Sequence, residues 1–531
     1  LADGEGHFTF RDVPKGRFSL TATKTGYADG ANGRLRPGGS SQSIDLADGQ
    51  RVTDATVPLW KLGAIAGTVL DDVGEPLVGA PIGVLKRTFL GGQPQLTPSG
   101  GSVTTDDRGM YRLSSLEPGT YVVVLPITQD RARAFLAPGM PNGPQMPPPP
   151  PPPPPNSGAL NGLMTQSFAA NGNQVAMQSI NGSSASAPAR ITADGQLLWY
   201  QTTFYPDALA AAKATPITIG PGEVRLGVDL ALKPVRASLV AGVLSGPDGP
   251  PTNMLLTLYP ADADGVATPV ETATAVTNAA GHFEFPHVPV GQYTIRTIRQ
   301  PRVGAPAMGG TTIIQSVNGA VTMRTIAPSA SATVPPLPDV PTLWAESNLS
   351  VGPTDVSDVN LGLRNGLRAT GRVVFDGSAA QPTPDQLPTN TIALDAADGR
   401  TSSVTSSTRG RIDSNGQFTT LGVPPGRYVL RLGTPSGWTV RGAIYNGRDI
   451  ADHAVEIAED LEGITVTFTD KTTALTGTVT SSGGLPDPKA AVIVFPSDPT
   501  QWVTGPSPRR LKNVRVGPDG SFSVNLPAGD Y

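Results

Sequence analysis

The stretch Asn278–Ile295 reads NAAGHFEFPHVPVGQYTI, and the pattern it contains decides the fold of this 531-residue chain. Related stretches begin at Asp3, Asp106, Asp413 and Gly517, so the pattern occurs five times. Two glycines mark each copy, ten residues apart in four copies and nine apart in the last: Gly6 and Gly16, Gly109 and Gly119, Gly281 and Gly291, Gly416 and Gly426, Gly520 and Gly529. A repeat of this kind determines the architecture before any other feature is considered.

Each part of the motif predicts a local structure. An Asp or Asn three residues before the first glycine predicts a turn, in which the side chain caps backbone amides and the glycine takes a positive φ. The alternation that follows predicts a short strand with one apolar face, as at Phe8 and Phe10, Tyr111 and Leu113, and Phe283 and Phe285. The Val/Leu-(Pro)-x-Gly segment then ends the strand, because proline cannot donate to a ladder. A second strand is expected next, with an aromatic anchor two positions after the second glycine: Phe18, Tyr121, Tyr293, Tyr428 and Tyr531.

A second pattern lies between the copies, where one alternating strand is followed by a polar break and a strand ending in Gly-x-Val, as in VTDATVPLWKLGAIAGTVLD. We expect the first strand to close one unit and the second to open the next. The chain then divides into five units, at 1–61 (incomplete, unit 1), 62–235 (unit 2), 236–366 (unit 3), 367–473 (unit 4) and 474–531 (truncated, unit 5). Since it opens at Leu1 and stops at Tyr531 inside repeats, we expect a fragment of a longer protein. Short strands at regular spacing predict an all-β tandem array of antiparallel β-sandwich domains, prealbumin/Ig-like, joined by short linkers.

Two low-complexity loop insertions interrupt this plan. The first, at about 129–198, contains nine consecutive prolines, Pro147–Pro155, and an Asn/Gln/Ser/Gly-rich stretch. A polyproline run of this type can dock an aromatic-lined partner, but a solvated loop is the favoured interpretation. The second insertion, at about 300–340, is rich in Gly, Ala, Thr and Ser. The only short helix we expect is Asp207–Ala214.

Composition excludes several classes of function. The chain has no Cys and four His, so disulfide frameworks, thiolate zinc sites and cysteine nucleophiles are excluded. Lys plus Arg (39) nearly balances Asp plus Glu (43), so no basic surface for nucleic acid is implied. No apolar stretch approaches the roughly 18–20 residues that span a bilayer, so no transmembrane segment is expected in this fragment. With no catalytic motif present, we predict a protein that is not an enzyme and has no catalytic residue, cofactor or metal site.

The remaining histidines and acidic turns have simple structural explanations. His282 and His287 are five apart in a strand and turn, where odd spacing places side chains on opposite faces. His453 has no evident Ser or Cys partner. Asp-rich turns occur at Asp71–Gly74, Asp106–Gly109, Gly246–Gly249 and Asp262–Gly265. They lack the alternating oxygen ligands of a calcium loop, so Asx turns are favoured over calcium sites.

Carbohydrate binding would require exposed planar aromatic side chains with polar neighbours. The candidates are Trp199, Tyr200, Tyr205, Trp344, Trp438, Tyr445 and Trp502. None of them clusters as a platform in sequence, so core packing is the favoured interpretation for each. No ligand-binding residue is assigned from the sequence.

One segment carries a family resemblance. Residues 67–84, GTVLDDVGEPLVGAPIGV, followed by TTDDRGMYRLSSLEPGTYVV, resemble the carboxypeptidase regulatory-like domain of the carbohydrate-binding-like or transthyretin-like β-sandwich group. The resemblance implies a non-catalytic accessory module in a large bacterial extracytoplasmic protein of the periplasm, the cell surface or the medium. The favoured hypothesis is a structural spacer or binding array whose partner is a polysaccharide or another surface protein. The alternatives are carbohydrate binding, and an accessory region of a larger peptidase or outer-membrane transport protein.

Overall fold

The computed structural model describes residues 2–39, 41–53, 55–90, 93–127, 129–130, 165–170, 173–178, 190–193, 195–261, 272–301, 312–317, 320–325, 340–387, 391–397, 410–487, 490–502, 509–517 and 519–531. Within these ranges the regular structure consists of β-strands and two 3-10 turns, Ala211–Lys213 and Pro499–Gln501, with no α-helix. The all-β class is therefore confirmed. No helix in this part of the chain is long and apolar enough to span a bilayer. The proline run Pro147–Pro155 and the turn Asp262–Gly265 lie outside the described residues.

Of the short helical turn expected at Asp207–Ala214, only Ala211–Lys213 forms, as a 3-10 turn. Ala208 instead exchanges backbone hydrogen bonds with Phe204 as an isolated β-bridge, N to O 2.8 Å and 2.7 Å. This bridge occupies the carbonyl of Ala208, which a first helical turn would need as an acceptor.

Unit 1 contains only short strands. They are β1 (Gly16–Ser19), β2 (Thr21–Ala22), β3 (Tyr27–Ala28), β4 (Gly30–Ala31), β5 (Ser43–Leu46) and β6 (Trp60–Lys61). Three antiparallel pairs form, β1 with β5, β2 with β4 and β3 with β6. The strand expected around Phe8 and Phe10 is absent, and both rings are exposed, packing edge-on at 6.0 Å. In the other units this strand pairs with the opening strand, and no described strand lies beside residues 7–10.

Unit 2 folds as two facing sheets. The strands of the unit are β7 (Gly63–Leu70), β8 (Pro81–Leu90), β9 (Gln93–Thr104), β10 (Met110–Leu116), β11 (Gly119–Leu125), β12 (Gln129–Asp130), β13 (Thr165–Ala170), β14 (Asn173–Gln178), β15 (Arg190–Ile191), β16 (Leu197–Trp199), β17 (Thr203–Phe204), β18 (Ile217–Ile219), β19 (Val224–Arg225) and β20 (Leu230–Ala231). Strands β12–β16 belong to its first insertion. One sheet has the order β10-β7-β19, with β20 also on β7, and the other has the order β17-β11-β8-β9, with β18 on β11. Ile65, Leu113, Tyr121 and Leu230 lie in the core between them.

Unit 3 repeats this arrangement. Its strands are β21 (Val235–Ser245), β22 (Leu255–Pro260), β23 (Ala273–Val276), β24 (His282–Pro289), β25 (Gly291–Arg299), β26 (Thr312–Val317), β27 (Ala320–Thr325), β28 (Leu343–Val351), β29 (Val356–Gly362) and β30 (Arg364–Asn365). One sheet contains β21, β24 and β29, and the other contains β23, β22, β25, β28 and β30 in that order. Val240, Leu256, Phe285 and Ile295 are fully buried between the sheets.

The strands of unit 4 form one continuous sheet, and those of unit 5 form two separate pairs. The strands of unit 4 are β31 (Ala369–Asp376), β32 (Thr391–Ala396), β33 (Gly410–Ile412), β34 (Gln417–Thr419), β35 (Gly426–Leu432), β36 (Thr439–Tyr445), β37 (Arg448–Asp449), β38 (Val455–Ile457) and β39 (Leu461–Thr469). Their order is β37-β36-β39-β31-β34-β33-β32-β35-β38. Unit 5 has β40 (Thr473–Thr478), β41 (Ala491–Val494), β42 (Lys512–Arg515) and β43 (Ser521–Leu526), paired as β40 with β43 and β41 with β42.

Units 2, 3 and 4 share one strand plan. The opening strand, β7, β21 or β31, pairs antiparallel with the first motif strand, β10, β24 or β34. On its other edge it pairs parallel with the closing strand, β20, β29 or β39. The recurring glycine of the opening strand explains this close approach. A Cβ on Gly67, Gly242 or Gly371 would lie 1.9, 2.1 and 1.9 Å, respectively, from a carbonyl oxygen of the closing segment.

The motif aromatic closes a recurring corner. In four copies the tyrosine hydroxyl donates a hydrogen bond to the carbonyl four residues earlier: Tyr121 to Glu117 at 2.7 Å, and Tyr293 to Pro289, Tyr428 to Pro424 and Tyr531 to Pro527, each at 2.8 Å. This is the geometry of a tyrosine corner. The second motif glycine leaves room for the ring, since a Cβ on Gly291 would lie 3.3 Å from Tyr293. The predicted anchor therefore also fixes the backbone of the turn.

The two predicted insertions contain more structure than loops. Strands β13 and β14 pair within the first, and β26 and β27 pair within the second. Both ends of the first insertion pair with unit 3: β12 lies parallel to β23, and β16 lies antiparallel to β21. At β12 and β16 the edges of unit 3 supply the backbone partners for the segment. Units 2 and 3 therefore interlock through shared sheets.

Other contacts join the units nearer the ends of the array. Asp452 of unit 4 is buried and accepts hydrogen bonds from Arg509 and Arg510 of unit 5, with 2.9 Å between Arg509 Nε and Asp452 Oδ1. Units 1 and 5 also touch, with Gln42 Nε2 lying 3.5 Å from the carbonyl oxygen of Val516. The units are thus in contact beyond their linkers.

Candidate ligand-binding pocket

A pocket of about 330 Å³ opens on unit 3 beside β21. Two strands occupy the same edge of β21: β16 pairs at Val235 and Arg236, and β29 pairs from Val240 onwards. Between these pairings, residues 237–239 have no strand partner on this edge within the described chain. The pairing of β21 with β24 also shifts register between Ser238 and Val240. The pocket therefore arises where one edge strand stops before the next begins.

The pocket has a mixed lining in which polar surface exceeds apolar surface. It is lined by Gly195, Gln196, Leu197, Arg236, Ala237, Leu239, Pro286, His287, Pro353 and Asp355. The volume lies at the lower end of the range of roughly 300–1,000 Å³ found for small-ligand sites.

The two charged side chains of the pocket have different surroundings. Asp355 accepts a hydrogen bond from the backbone amide of Leu239 through Oδ1, at 2.8 Å, and is held in place by it. Arg236 is exposed and forms no ion pair with any carboxylate of the described residues. The guanidinium and the carboxylate thus line one pocket without neutralising each other by direct contact.

Two polar atoms beside the pocket are buried without a hydrogen-bond partner among the described residues. They are the side-chain oxygen Oε1 of Gln196 and the indole nitrogen Nε1 of Trp199. An unpaired buried polar group costs about 1–3 kcal/mol, so such atoms usually have a function or a bound partner. The Trp199 ring stacks on the imidazole of His287 with 4.7 Å between centroids and 18° between planes. Of this stacked pair, His287 lines the pocket and Trp199 packs against it.

The aromatic candidates from the sequence divide into packed and exposed residues. Tyr200 and Trp438 are buried, and the Tyr200 hydroxyl donates to Asp72 Oδ1 at 2.8 Å. Tyr205 and Tyr445 are half-buried against the cores of their units. In contrast, Trp502 is 46% exposed and packs edge-on against Phe495.

Trp199 and Trp344 are half-buried. The Trp344 indole nitrogen donates to the carbonyl of Asn365 at 3.3 Å. Of the seven candidates, only Trp199 adjoins the pocket, through its stack on His287.

The structure separates the two histidines of the HFEFPH segment. His282 is exposed on β24, whereas His287 lines the pocket. His453 lies in unit 4, with Nδ1 buried and unpartnered within the described chain. In that same part of the chain, no group of three or more His, Cys, Asp or Glu side chains could hold a metal ion.

The motif turns have the expected Asx geometry. Asp106 Oδ1 accepts from the amides of Arg108 and Met110 at 3.0 and 2.8 Å. Asp71 Oδ1 accepts from the amides of Val73 and Glu75, both at 2.9 Å. These carboxylates therefore cap turns, as the sequence indicated.

Sequence reasoning missed three pocket residues, Gln196, Arg236 and Asp355. They come from three segments, before β16, at the start of β21 and before β29, and no local spacing connects them. The nearest signal in the sequence was the aromatic residue Trp199. It could not show that the strand containing it, β16, pairs with β21 in the sheet of unit 3.

Comparisons with known proteins show resemblance only at a distance. No family model and no curated protein matches the chain. Among solved structures, the TIE protein of Bacillus anthracis is 15% identical, with 86% of this chain and 60% of that chain covered and a TM-score of 0.14. The minor pilin GBS52 of Streptococcus agalactiae is 9% identical, with 61% and 99% covered and a TM-score of 0.20. A candidate carbohydrate-binding protein of Pseudomonas aeruginosa is 16% identical, with 24% and 89% covered and a TM-score of 0.13.

The chain thus spans 60% of the length of the TIE protein. Identities and TM-scores this low carry no argument about function. The mainly antiparallel β-sandwich architecture of units 2 and 3 follows from the strand pairing and the cores of the chain itself.

Proposed function

We propose that the chain is a non-catalytic, extracytoplasmic bacterial repeat protein that acts as a binding array. Its units are proposed to be carboxypeptidase regulatory-like β-sandwiches, with boundaries at the five segments given by the repeat. The shared strand plan of units 2, 3 and 4 supports this, because the recurring positions serve turns, close strand approach and corners. The contact between units 1 and 5 favours a binding array over an extended spacer.

The observation that carries the binding role is the pocket on unit 3. Gln196 Oε1 supplies an acceptor that is unpaired within the described chain, and Leu197, Leu239 and Pro353 supply apolar contact. A ligand with hydroxyl groups and apolar C–H faces satisfies both requirements, and a sugar has both. We therefore propose carbohydrate as the class of ligand.

Retention of the purified chain on a panel of immobilised polysaccharides tests this proposal. We expect retention on at least one glycan, and about tenfold weaker retention for Gln196→Ala, which removes the unpaired acceptor. Trp502→Ala is the matched control, because it removes the exposed aromatic side chain of unit 5 outside the pocket. Absence of retention on every glycan, or loss with Trp502→Ala alone, would contradict the pocket as the site.

The array itself is tested by small-angle scattering of the full chain. A single compact globule of 531 residues would have a radius of gyration of about 24 Å. We expect a larger value, because units 2, 3 and 4 each pack around a core of their own and fill a sphere less completely than one globule, even with units 1 and 5 in contact. A measured value near 24 Å would contradict the array.

A further inference from the structure

We propose that the pocket on unit 3 selects an acidic sugar, a uronate, over neutral sugars. This inference rests on the proposed carbohydrate binding and adds the charge of the ligand. Its basis is Arg236, whose guanidinium lines the pocket and has no ion-pair partner in the described part of the chain.

A guanidinium is well suited to a single carboxylate. Its planar fork donates two parallel N–H bonds that match the two carboxylate oxygens, and such charge-assisted pairs are roughly twice as strong as neutral ones. Arg236 lies on β21 at the position that pairs with Leu198, so its backbone is fixed by the sheet. The side chain is therefore attached to a rigid element at the rim of the pocket.

The other polar groups require hydroxyl donors in the same ligand. Gln196 Oε1 is a buried acceptor without a donor within the described residues, and Asp355 is an acceptor whose Oδ1 is already engaged by Leu239. A second carboxylate on the ligand would be repelled by Asp355, whereas hydroxyl groups can donate to both acceptors. One carboxylate together with several hydroxyl groups is the chemistry of a uronate.

The size of the pocket fits one sugar residue of a chain. Its volume of about 330 Å³ suits a small ligand, and the walls at Leu197, Pro286 and Pro353 can contact the apolar faces of a pyranose ring. Because the pocket opens at a sheet edge, the neighbouring sugars can extend outside it.

Calorimetric titration of the full chain with tetragalacturonate and with its fully methyl-esterified form tests the selection. The two probes share every hydroxyl and differ in charge and in carboxylate geometry. We expect the ester to bind at least tenfold more weakly, and Arg236→Gln to weaken tetragalacturonate binding about tenfold while leaving ester binding unchanged. Arg448→Gln, at an exposed position of β37 in unit 4, is the matched control and should bind both probes as the wild type does.

The outcomes separate the two proposals. Equal affinity for the acid and the ester, unchanged in Arg236→Gln, would overturn the selection and leave carbohydrate binding intact. Equal losses in Arg236→Gln and Arg448→Gln would overturn it as well, since they would show general charge attraction only. Absence of binding to both probes, combined with retention on a neutral glycan in the panel, would overturn the selection of a uronate and leave carbohydrate binding intact. Absence of binding to any glycan would overturn both proposals.

Discussion

Replacing Tyr293 by phenylalanine removes the hydroxyl that donates the corner hydrogen bond and keeps the aromatic ring. The hydroxyl of Tyr293 donates to the carbonyl of Pro289 at 2.8 Å, in a buried setting where the tyrosine is only 5% exposed. Phenylalanine keeps the ring over Gly291 and can occupy the same space. The substitution therefore tests the hydrogen bond separately from ring packing.

The expected cost follows from the burial of the carbonyl that loses its donor. An intramolecular hydrogen bond contributes about 0.5–1.5 kcal/mol net, and a buried unpaired carbonyl costs about 1–3 kcal/mol. We take about 1.5 kcal/mol for Tyr293→Phe, which corresponds to roughly a tenfold increase in the population of locally opened unit 3.

Amide hydrogen exchange followed by mass spectrometry measures this opening unit by unit. A melting temperature of the whole chain would not, because a multi-domain chain does not unfold in two states. Peptides from β22 and β25 of unit 3 should exchange about tenfold faster in Tyr293→Phe, and peptides from β32 and β35 of unit 4 should be unchanged.

The reciprocal variant provides the control. Tyr428→Phe removes the bond to the carbonyl of Pro424 in unit 4 and should accelerate exchange there alone. If Tyr293→Phe changed exchange in unit 3 by less than twofold, or changed units 3 and 4 equally, the corner would not stabilise its own unit.

Three further predictions concern close packing and pH. Gly371→Ala places a Cβ 1.9 Å from the carbonyl oxygen of Ile464 and should cost unit 4 about 3 kcal/mol, measured by hydrogen exchange, whereas Gly437→Ala, with φ +80° and open space, should cost about 1 kcal/mol. Although burial acts to raise it, hydrogen bonds from Arg509 and Arg510 hold the pKa of Asp452 below its ordinary value of 3.8. The contact between units 4 and 5 should therefore persist above pH 3.8 and weaken as the pH falls further, measured by exchange in β42. Burial raises the pKa of Tyr121 to about 12 from 10, so unit 2 should lose stability as the pH rises from 10 to 12, and Tyr121→Phe should remove that part of the loss.

Local features of the fold were predictable because their causes lie within a few residues. The Asx turn at Asp106 needs only the carboxylate and the next four residues. The alternation of Phe283 and Phe285 places both rings in the core of unit 3, as expected. The same alternation at Phe8 and Phe10 gave a wrong expectation, because a strand also needs a neighbour to pair with, and periodicity does not report one.

Long-range pairing was the part that sequence reasoning could not reach. Nothing near Trp199 distinguishes a loop end from a strand that joins the sheet of the next unit, since the pairing is decided by the free edge of β21. The pocket depends on that pairing, and so Arg236 and Asp355 could not be connected from their positions in the chain. The repeated glycine of the opening strand was visible in the sequence. The structure explains it, because a Cβ at this position would lie 2.1 Å or less from a carbonyl oxygen of the closing segment, and that segment's position could not be read from the sequence.

The shared sheets of units 2 and 3 also set an order for folding during synthesis. Strands β12 and β16 leave the ribosome before their partners β23 and β21. Unit 2 can therefore complete its own core while the backbone groups of these two segments have no partner strand. An unpaired strand edge is a template for association with another chain. The short lengths of β12 and β16, two and three residues, limit that exposure until unit 3 emerges and covers them.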